Sequence, residues 1–382
     1  MTGLEMAPSY ENIFIGGAVN SAIQLSKDLS NAGHRINIVT TTPRNSSSYS
    51  IDWVNIYQIP IGRTYGSLSY GAEYAIKSSL LIRKLNKKEK FQIIHGHSGF
   101  PSVASVSKIS SLIIGTPSVH TLYCPVHVND RFARYYLSGI NVIIAISENV
   151  KKSLNDAGII SQRIEVVPPS INSAIFNPSV SGNKLRTNLN IDRNDKVILF
   201  VGNFTITKGI DILLESMKDL IIQFPEMKLI ITSELPHQNY ARRKQEIESL
   251  IAKYDLGKNI IRLGIIKNMP ELMAASDILV APFFDTNGPS DYPIPILEAM
   301  GIGKPVIASD VGGISELISN LDNGVLIEPN NVKMLSDSIS FLLNSKAMRN
   351  QIGLNAAEFI TRKFSISKIN PKMESIYEEI IR

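Results

Sequence analysis

One cysteine in 382 residues leaves no partner for an intrachain disulfide and too few thiolates for a multi-cysteine metal site. That residue, Cys124, fits a reducing compartment. Long apolar runs are missing too: none approaches the ~18 residues that a membrane-spanning helix needs. The opening MTGLEMAPSYEN lacks a basic region followed by an apolar stretch, so it does not read as a signal peptide. No HExxH or comparable spacing suggests a metal, and no period of ~20–50 residues marks a repeat. These absences leave a globular chain, 44% hydrophobic and 19% charged, expected in the cytoplasm.

Its length exceeds what one core holds and suits two domains of under ~200 residues each. Short apolar runs alternate with amphipathic stretches throughout, which implies an α/β fold with parallel sheets covered on both faces. Leu4 to Ala7 reads as a short first strand. Arg35–Thr40, Phe91–His95, Ile140–Ser147 and Lys196–Val201 read as buried strands. Residues 1–180 are expected to form the first domain, 181–195 a polar linker and 196–363 the second domain. Residues 364–382 are expected as a final helix.

The net charge of +5 is uneven. Residues 1–180 hold 16 Lys/Arg against 10 Asp/Glu, and the remainder hold 23 against 24. Arg83, Lys84, Lys87, Lys88 and Lys90 form a cluster. A solvated helix face is one reading; attraction to an anionic membrane surface or an acidic acceptor is another. Nucleic acid is not expected, because no aromatics interleave the cluster and no recognition motif accompanies it.

The most informative stretch is DILVAPFFDTNGPSDYPIPILEAMGIGKPVIASDVGGISEL, residues 277–317. It reads as a buried strand, a loop rich in Gly, Pro, Ser and Asp, a helix and a second strand. A loop feeding a helix N-terminus at the carboxyl end of a parallel strand is a ready phosphate site. Glu298, about one turn into that helix, can accept from two ribose hydroxyls; it is equally an ordinary first-turn Glu favoured by the dipole.

ILEAMGIGKPVIASDVGGISELI resembles the donor-site signature of family 4 glycosyltransferases, the retaining group with the GT-B fold. The resemblance covers nearly the whole chain. It implies two Rossmann-like domains facing a cleft, with the last helix crossing back to the first domain. It also implies transfer of a sugar from a nucleotide sugar to an acceptor hydroxyl, in cell-surface polysaccharide, glycolipid or glycoprotein glycan synthesis. Glu298 matches the second Glu of the signature, which binds the donor ribose. Ser290 stands where the first Glu is usual, with Asp291 beside it; Tyr292, Pro293 and Ile294 complete the donor-binding loop. Gly16 and Gly17 fit the glycine turn that approaches the donor diphosphate.

GNFTITKG resembles the family's Gly-Arg followed by Lys-Gly. Gly202 and Lys208 match, and Asn203 replaces the Arg. HGHSGF resembles a His-x-His loop, which makes His97 a catalytic candidate beside Lys208 and Glu298. Tyr123 holds a place where the family often has a His, with His120 three residues earlier; His127 is a further candidate. No cofactor or metal is implied, since Lys208 and helix N-termini can meet the diphosphate charge. The partners implied are a nucleotide-sugar donor and a glycan or lipid-linked acceptor, with the enzyme cytoplasmic or peripheral to the inner face of a membrane. Two other classes stay open on the sequence: a nucleotide-sugar epimerase or hydrolase on the same fold, and a non-catalytic homologue that binds a nucleotide sugar.

Overall fold

The computed structural model describes residues 17–42, 47–51, 54–62, 68–98, 104–127, 130, 132–159, 163–232, 240–286 and 290–382. The Leu4–Ala7 strand and Gly16 lie outside these. The chain divides into two compact units. The first lies within residues 1–170, 290–294 and 366–382, and the second within 171–289 and 295–365.

In chain order, the first unit holds α1 (Gly17–Asn31), β1 (Asn37–Thr42), β2 (Ser47–Ile51), β3 (Val54–Pro60), α2 (Leu68–Glu89) and β4 (Ile94–Ser98). It continues with α3 (Ala104–Ile114), β5 (Ser118–Leu122), α4 (Ala133–Leu137), β6 (Val142–Ala145), α5 (Glu148–Asp156) and β7 (Arg163–Val166). The second unit holds α6 (Asn183–Asn188), β8 (Val197–Val201), α7 (Ile210–Gln223), β9 (Lys228–Thr232), α8 (Tyr240–Lys253), β10 (Ile260–Leu263) and α9 (Met269–Ala275). After these come β11 (Ile278–Ala281), α10 (Ile294–Gly301), β12 (Val306–Ser309), α11 (Ile314–Leu317), β13 (Val325–Ile327), α12 (Val332–Asn344) and α13 (Lys346–Phe364). The last helix, α14 (Ile366–Ile381), belongs to the first unit.

The second unit is a six-stranded parallel sheet in the order β10-β9-β8-β11-β12-β13. Its strands are apolar runs such as VILFV and ILVA, which is what burial on both faces demands. Asp277, at the foot of β11, accepts from the Val197 N–H at 2.9 Å and faces Arg186 at 3.7 Å and Arg349 at 3.5 Å. Within the stretch expected as linker, α6 folds against α9, and Arg186 donates to the Ala275 carbonyl at 2.9 Å. Helix α13 was not expected at all. Its buried stripe includes Gly353, Ala356, Ala357 and Arg349, so the apolar contrast of an amphipathic helix is weak. Arg349 instead donates to the Leu342 and Leu343 carbonyls at the end of α12.

In the first unit β4-β5-β6-β7 form a parallel sheet, and β1-β3-β2 a second, mixed one. Helices α1 and α14 share one core cluster, through Ala22, Leu29, Ile369 and Tyr377 among others. The strand expected at 91–95 runs instead over Ile94–Ser98, so HGHS is strand rather than loop. His95 is tolerated there because both its ring nitrogens find partners. His95 bonds the Tyr377 hydroxyl through Nδ1 and the Thr121 hydroxyl through Nε2, both at 2.7 Å. His97 Nδ1 lies 3.1 Å from the Tyr123 hydroxyl, and the His95 and His97 ring centres are 3.9 Å apart. His120, opposite Gly96 in the register, is also fully buried.

Burial removes water from all three rings and disfavours their charged forms. His95 is held well below 6.5, with neighbouring His97 adding to the effect, and His97 and His120 fall to about 3. A base whose folded pKa lies below its unfolded value gives stability that is complete above the unfolded pKa. That stability is lost as pH falls from ~6.5 toward the folded value. Urea unfolding should therefore show stability dropping by about 1 kcal/mol per histidine between pH 7 and 5.5. An unchanged midpoint over that range would mean that these rings are not held neutral in the native state.

Candidate functional site

Strands β8 and β11 are neighbours, yet the chain leaves β8 toward β9 and β10 on one side and continues from β11 toward β12 and β13 on the other. Such a reversal of strand order opens a crevice at the carboxyl ends of the strands, where open α/β sheets take ligands. Two segments emerge there. Residues 202–209 follow β8 and residues 282–286 follow β11, and the Phe284 N–H donates to the Thr207 carbonyl at 3.0 Å.

Lys208 ends a 3₁₀ turn over Ile206–Lys208. Gly209 follows with φ +68°, and a Cβ there would come within 1.8 Å of the Pro282 carbonyl oxygen. Only glycine meets both conditions. Helix α7 starts at the next residue, so its free N–H groups and positive dipole end stand directly behind Lys208. The Lys208 ammonium sits 4.2 Å from the centre of the buried Phe283 ring. That ring, which the sequence reading did not single out, shelves the cation without neutralising it. Gly202 touches the Lys208 stem: a Cβ would lie 3.4 Å from Cδ. Asn203 turns inward, its Oδ1 accepting from the Thr205 hydroxyl at 2.7 Å. It therefore shapes the loop and does not supply the cation of the Arg it replaces.

Glu298 is half-buried on α10, between the fully buried Leu297 and Ala299. Desolvation raises its carboxyl to about 8. Among the described residues no group donates to that carboxylate, so an outside donor would favour the charged form.

The remaining candidates lie in the first unit. Asp291 is fully buried. Its carboxylate accepts from the Ser147 hydroxyl at 2.5 Å and from the Asn149 amide at 3.0 Å. Ser147 caps α5, accepting from the Val150 N–H, so one hydroxyl both caps the helix and holds the acid. The Asp291 N–H donates to the Tyr123 carbonyl at 2.8 Å, and the Ser290 hydroxyl approaches the same oxygen at 3.5 Å. Tyr292, Pro293 and Ile294 are buried, and a Cβ on Gly17 would meet Ile294 Cγ1 at 3.2 Å.

The structure therefore brings Ser290, Asp291, Tyr123 and His97 into one connected group, and Gly17 against Ile294. It places Gly202, Lys208 and Phe283 in another. His127 is exposed and His120 is enclosed in the core. Ser147 and Asn149 were missed: the cap was readable from its place before a helix, its long-range partner was not. Among the described residues no group of three or more His, Cys, Asp or Glu could hold a metal ion.

Two family models match the chain. The model for glycosyltransferase family 4 covers residues 15–174, and that for glycosyl transferases group 1 covers 182–359. An Escherichia coli UDP-Gal:α-D-GlcNAc-diphosphoundecaprenol α-1,3-galactosyltransferase is 23% identical over 96% of this chain and 95% of its own. Sucrose-phosphate synthase from Thermosynechococcus elongatus superposes with a TM-score of 0.85 at 21% identity, over 99% of this chain and 98% of that one. HepE of Anabaena, solved with UDP and glucose, gives 0.80 at 20% identity, over 98% of each chain. These structures share the fold, two α/β domains with parallel sheets in the GT-B arrangement. With the two models matching nearly its whole length between them, the chain belongs to the family 4, group 1 glycosyltransferases.

Proposed function

We propose that this glycosyltransferase moves a sugar from a nucleotide-sugar donor to an acceptor hydroxyl with retention of anomeric configuration. The observation that carries the donor class is Lys208 over Phe283, with the α7 N-terminus behind it at the point where strand order reverses. A fixed cation backed by free N–H groups suits the negative charge that develops on a departing diphosphate, and preorganised donors of this kind usually supply the largest catalytic effect. HepE of Anabaena, a structural neighbour, is known with UDP bound, which supports a nucleoside diphosphate here. The E. coli relative acts on a lipid-diphosphate-linked sugar, which supports an acceptor in glycan or glycolipid synthesis.

In this reading Glu298 accepts both ribose hydroxyls of the donor. Those hydroxyls favour the charged carboxylate, so donor binding near neutral pH releases a proton from a group resting at about 8. Asp291 acts from within, holding Tyr292 to Ile294 in place, and Gly17 lets α1 approach them. His97, bonded to Tyr123, orients that tyrosine's ring. We assign no residue as a covalent nucleophile: attack and departure take place on one face of the sugar.

Glu298→Gln should weaken nucleotide-sugar binding by about 1.5–3 kcal/mol and abolish proton release on binding, as read by calorimetry in buffers of different ionisation enthalpy. A carboxyl with a raised folded pKa gives stability that is complete below the unfolded value and lost as pH rises through about 8. The same variant, free of ligand, should therefore gain in Tm over wild type at pH 8.5 but not at pH 4. Unchanged affinity in a folded variant removes Glu298 from the donor site.

Transfer should also survive EDTA, because Lys208 and helix N-termini carry the diphosphate charge in this scheme. Loss of activity restored by Mg²⁺ or Mn²⁺ would defeat it.

A further inference from the structure

Exposed large apolar side chains are scattered singly over most of the molecule, which is ordinary. On α2, α3 and α4 they gather. Helix α2 exposes Ile76 (60%) and Leu80 (58%), α3 exposes Leu112 (76%) and Ile113 (44%), and Phe132 and Tyr135 at α4 are each 66% exposed. The three helices are neighbours, α3 packing on both α2 and α4. Lys108 joins the last two: its ammonium donates to the Tyr135 carbonyl at 3.0 Å and the Ser138 hydroxyl at 2.8 Å, and lies 4.7 Å from the Tyr135 ring centre. The aromatic side chains therefore project from a braced support.

Cations dominate the charge of this face, and Asp130, just before α4, is engaged by the Phe132 and Ala133 N–H groups. Ile76, Leu80, Arg83, Lys84 and Lys87 recur at helical spacing along α2, so an apolar stripe runs into a basic one on the same side. Arg83, Lys84, Lys87 and Lys88 are all exposed. Helices α3 and α4 contain no acidic residue. The two on α2 are engaged: Glu73 by Lys77 at 2.6 Å, and Glu89 by Arg35 at 3.6 Å and Lys88 at 4.0 Å.

We propose that this face docks reversibly on an anionic lipid bilayer, with the cations at the headgroups and the apolar side chains seated among them. Each half of the pattern has a function. Cations near an anionic surface attract it over about a Debye length, while protruding Leu, Ile, Phe and Tyr gain by entering the headgroup boundary. A second copy of the chain is a poor occupant, since pairing two such faces brings like charges together. The proposal goes beyond the transfer reaction and does not depend on it.

The test is co-sedimentation of the full chain with vesicles of phosphatidylcholine alone or with 30 mol% phosphatidylglycerol, at 50 and 300 mM NaCl. Three proteins are compared: wild type, Arg83→Gln/Lys84→Gln/Lys87→Gln/Lys88→Gln, and Leu112→Ser/Phe132→Ser. All substituted side chains are exposed, and an unchanged Tm verifies folding. Wild type should bind the anionic vesicles only and keep part of that binding at 300 mM. The basic variant should lose it, by roughly fivefold per cation removed. The apolar variant should bind at 50 mM and be released at 300 mM, because only its screened component remains. Wild type ignoring anionic vesicles at 50 mM overturns the proposal. So does an apolar variant that matches wild type at both salts while all three proteins bind polyglutamate as they bind vesicles, which would make the face a general polyanion site. Since no sugar transfer is read, the result is independent of the reaction above.

Discussion

A buried carboxylate costs several kcal/mol unless its oxygens are met by donors, and in this protein Asp291 is met by the first turn of α5. The chain leaves β11 in the second unit, contributes residues 290–294 to the first, and returns as α10. That excursion is fixed by the Asp291 carboxylate on Ser147 and Asn149 and by its N–H on the Tyr123 carbonyl. Five of the candidate donor-site positions lie on it. Without the acid at 291, the Ser147 hydroxyl would keep its cap on α5 and lose its second partner, and the loop would lose both side-chain bonds that tie it to α5.

Lys208 rests on a different constraint, the parallel sheet of the second unit. Because β8 and β11 are adjacent while their neighbours diverge, the segments that follow them meet. The approach is closest at Gly209 and Pro282, where no side chain fits. The cation owes its place to that glycine, to the ring of Phe283 below it and to the helix that starts behind it. An anion arriving there finds the charge already oriented, and little reorganisation is left for the moment of reaction.

Much of this was legible beforehand, for identifiable reasons. VILFV, ILVA and VIIA announce strands buried on both faces, and Lys208-Gly209 before an amphipathic run announces a helix start. Glu298 was found through its motif, not through its burial, which no local pattern reveals. The end of β4 was placed three residues early because Gly96 and His97 look like loop; the hydroxyl that holds His95 in the strand belongs to Tyr377, 282 positions away. The partners of Asp291 were hidden for a similar reason, since they lie 144 and 142 positions earlier. Helix α13 escaped notice because close approach, not apolar bulk, governs its packing: a Cβ on Gly353 would meet the Gly303 carbonyl oxygen at 2.0 Å.

The return of α14 to the first unit bears on the order in which the molecule is made. Residues 1–170 leave the ribosome first, but α1 and the His95 pair lack Tyr377 and its helix until the final segment emerges. At common translation rates that wait is roughly 10–40 s. Until then the face of α1 that α14 covers, Ala22 and Leu29 among it, finds no such cover within the first 170 residues, so this core closes only once residues 366–381 have been made.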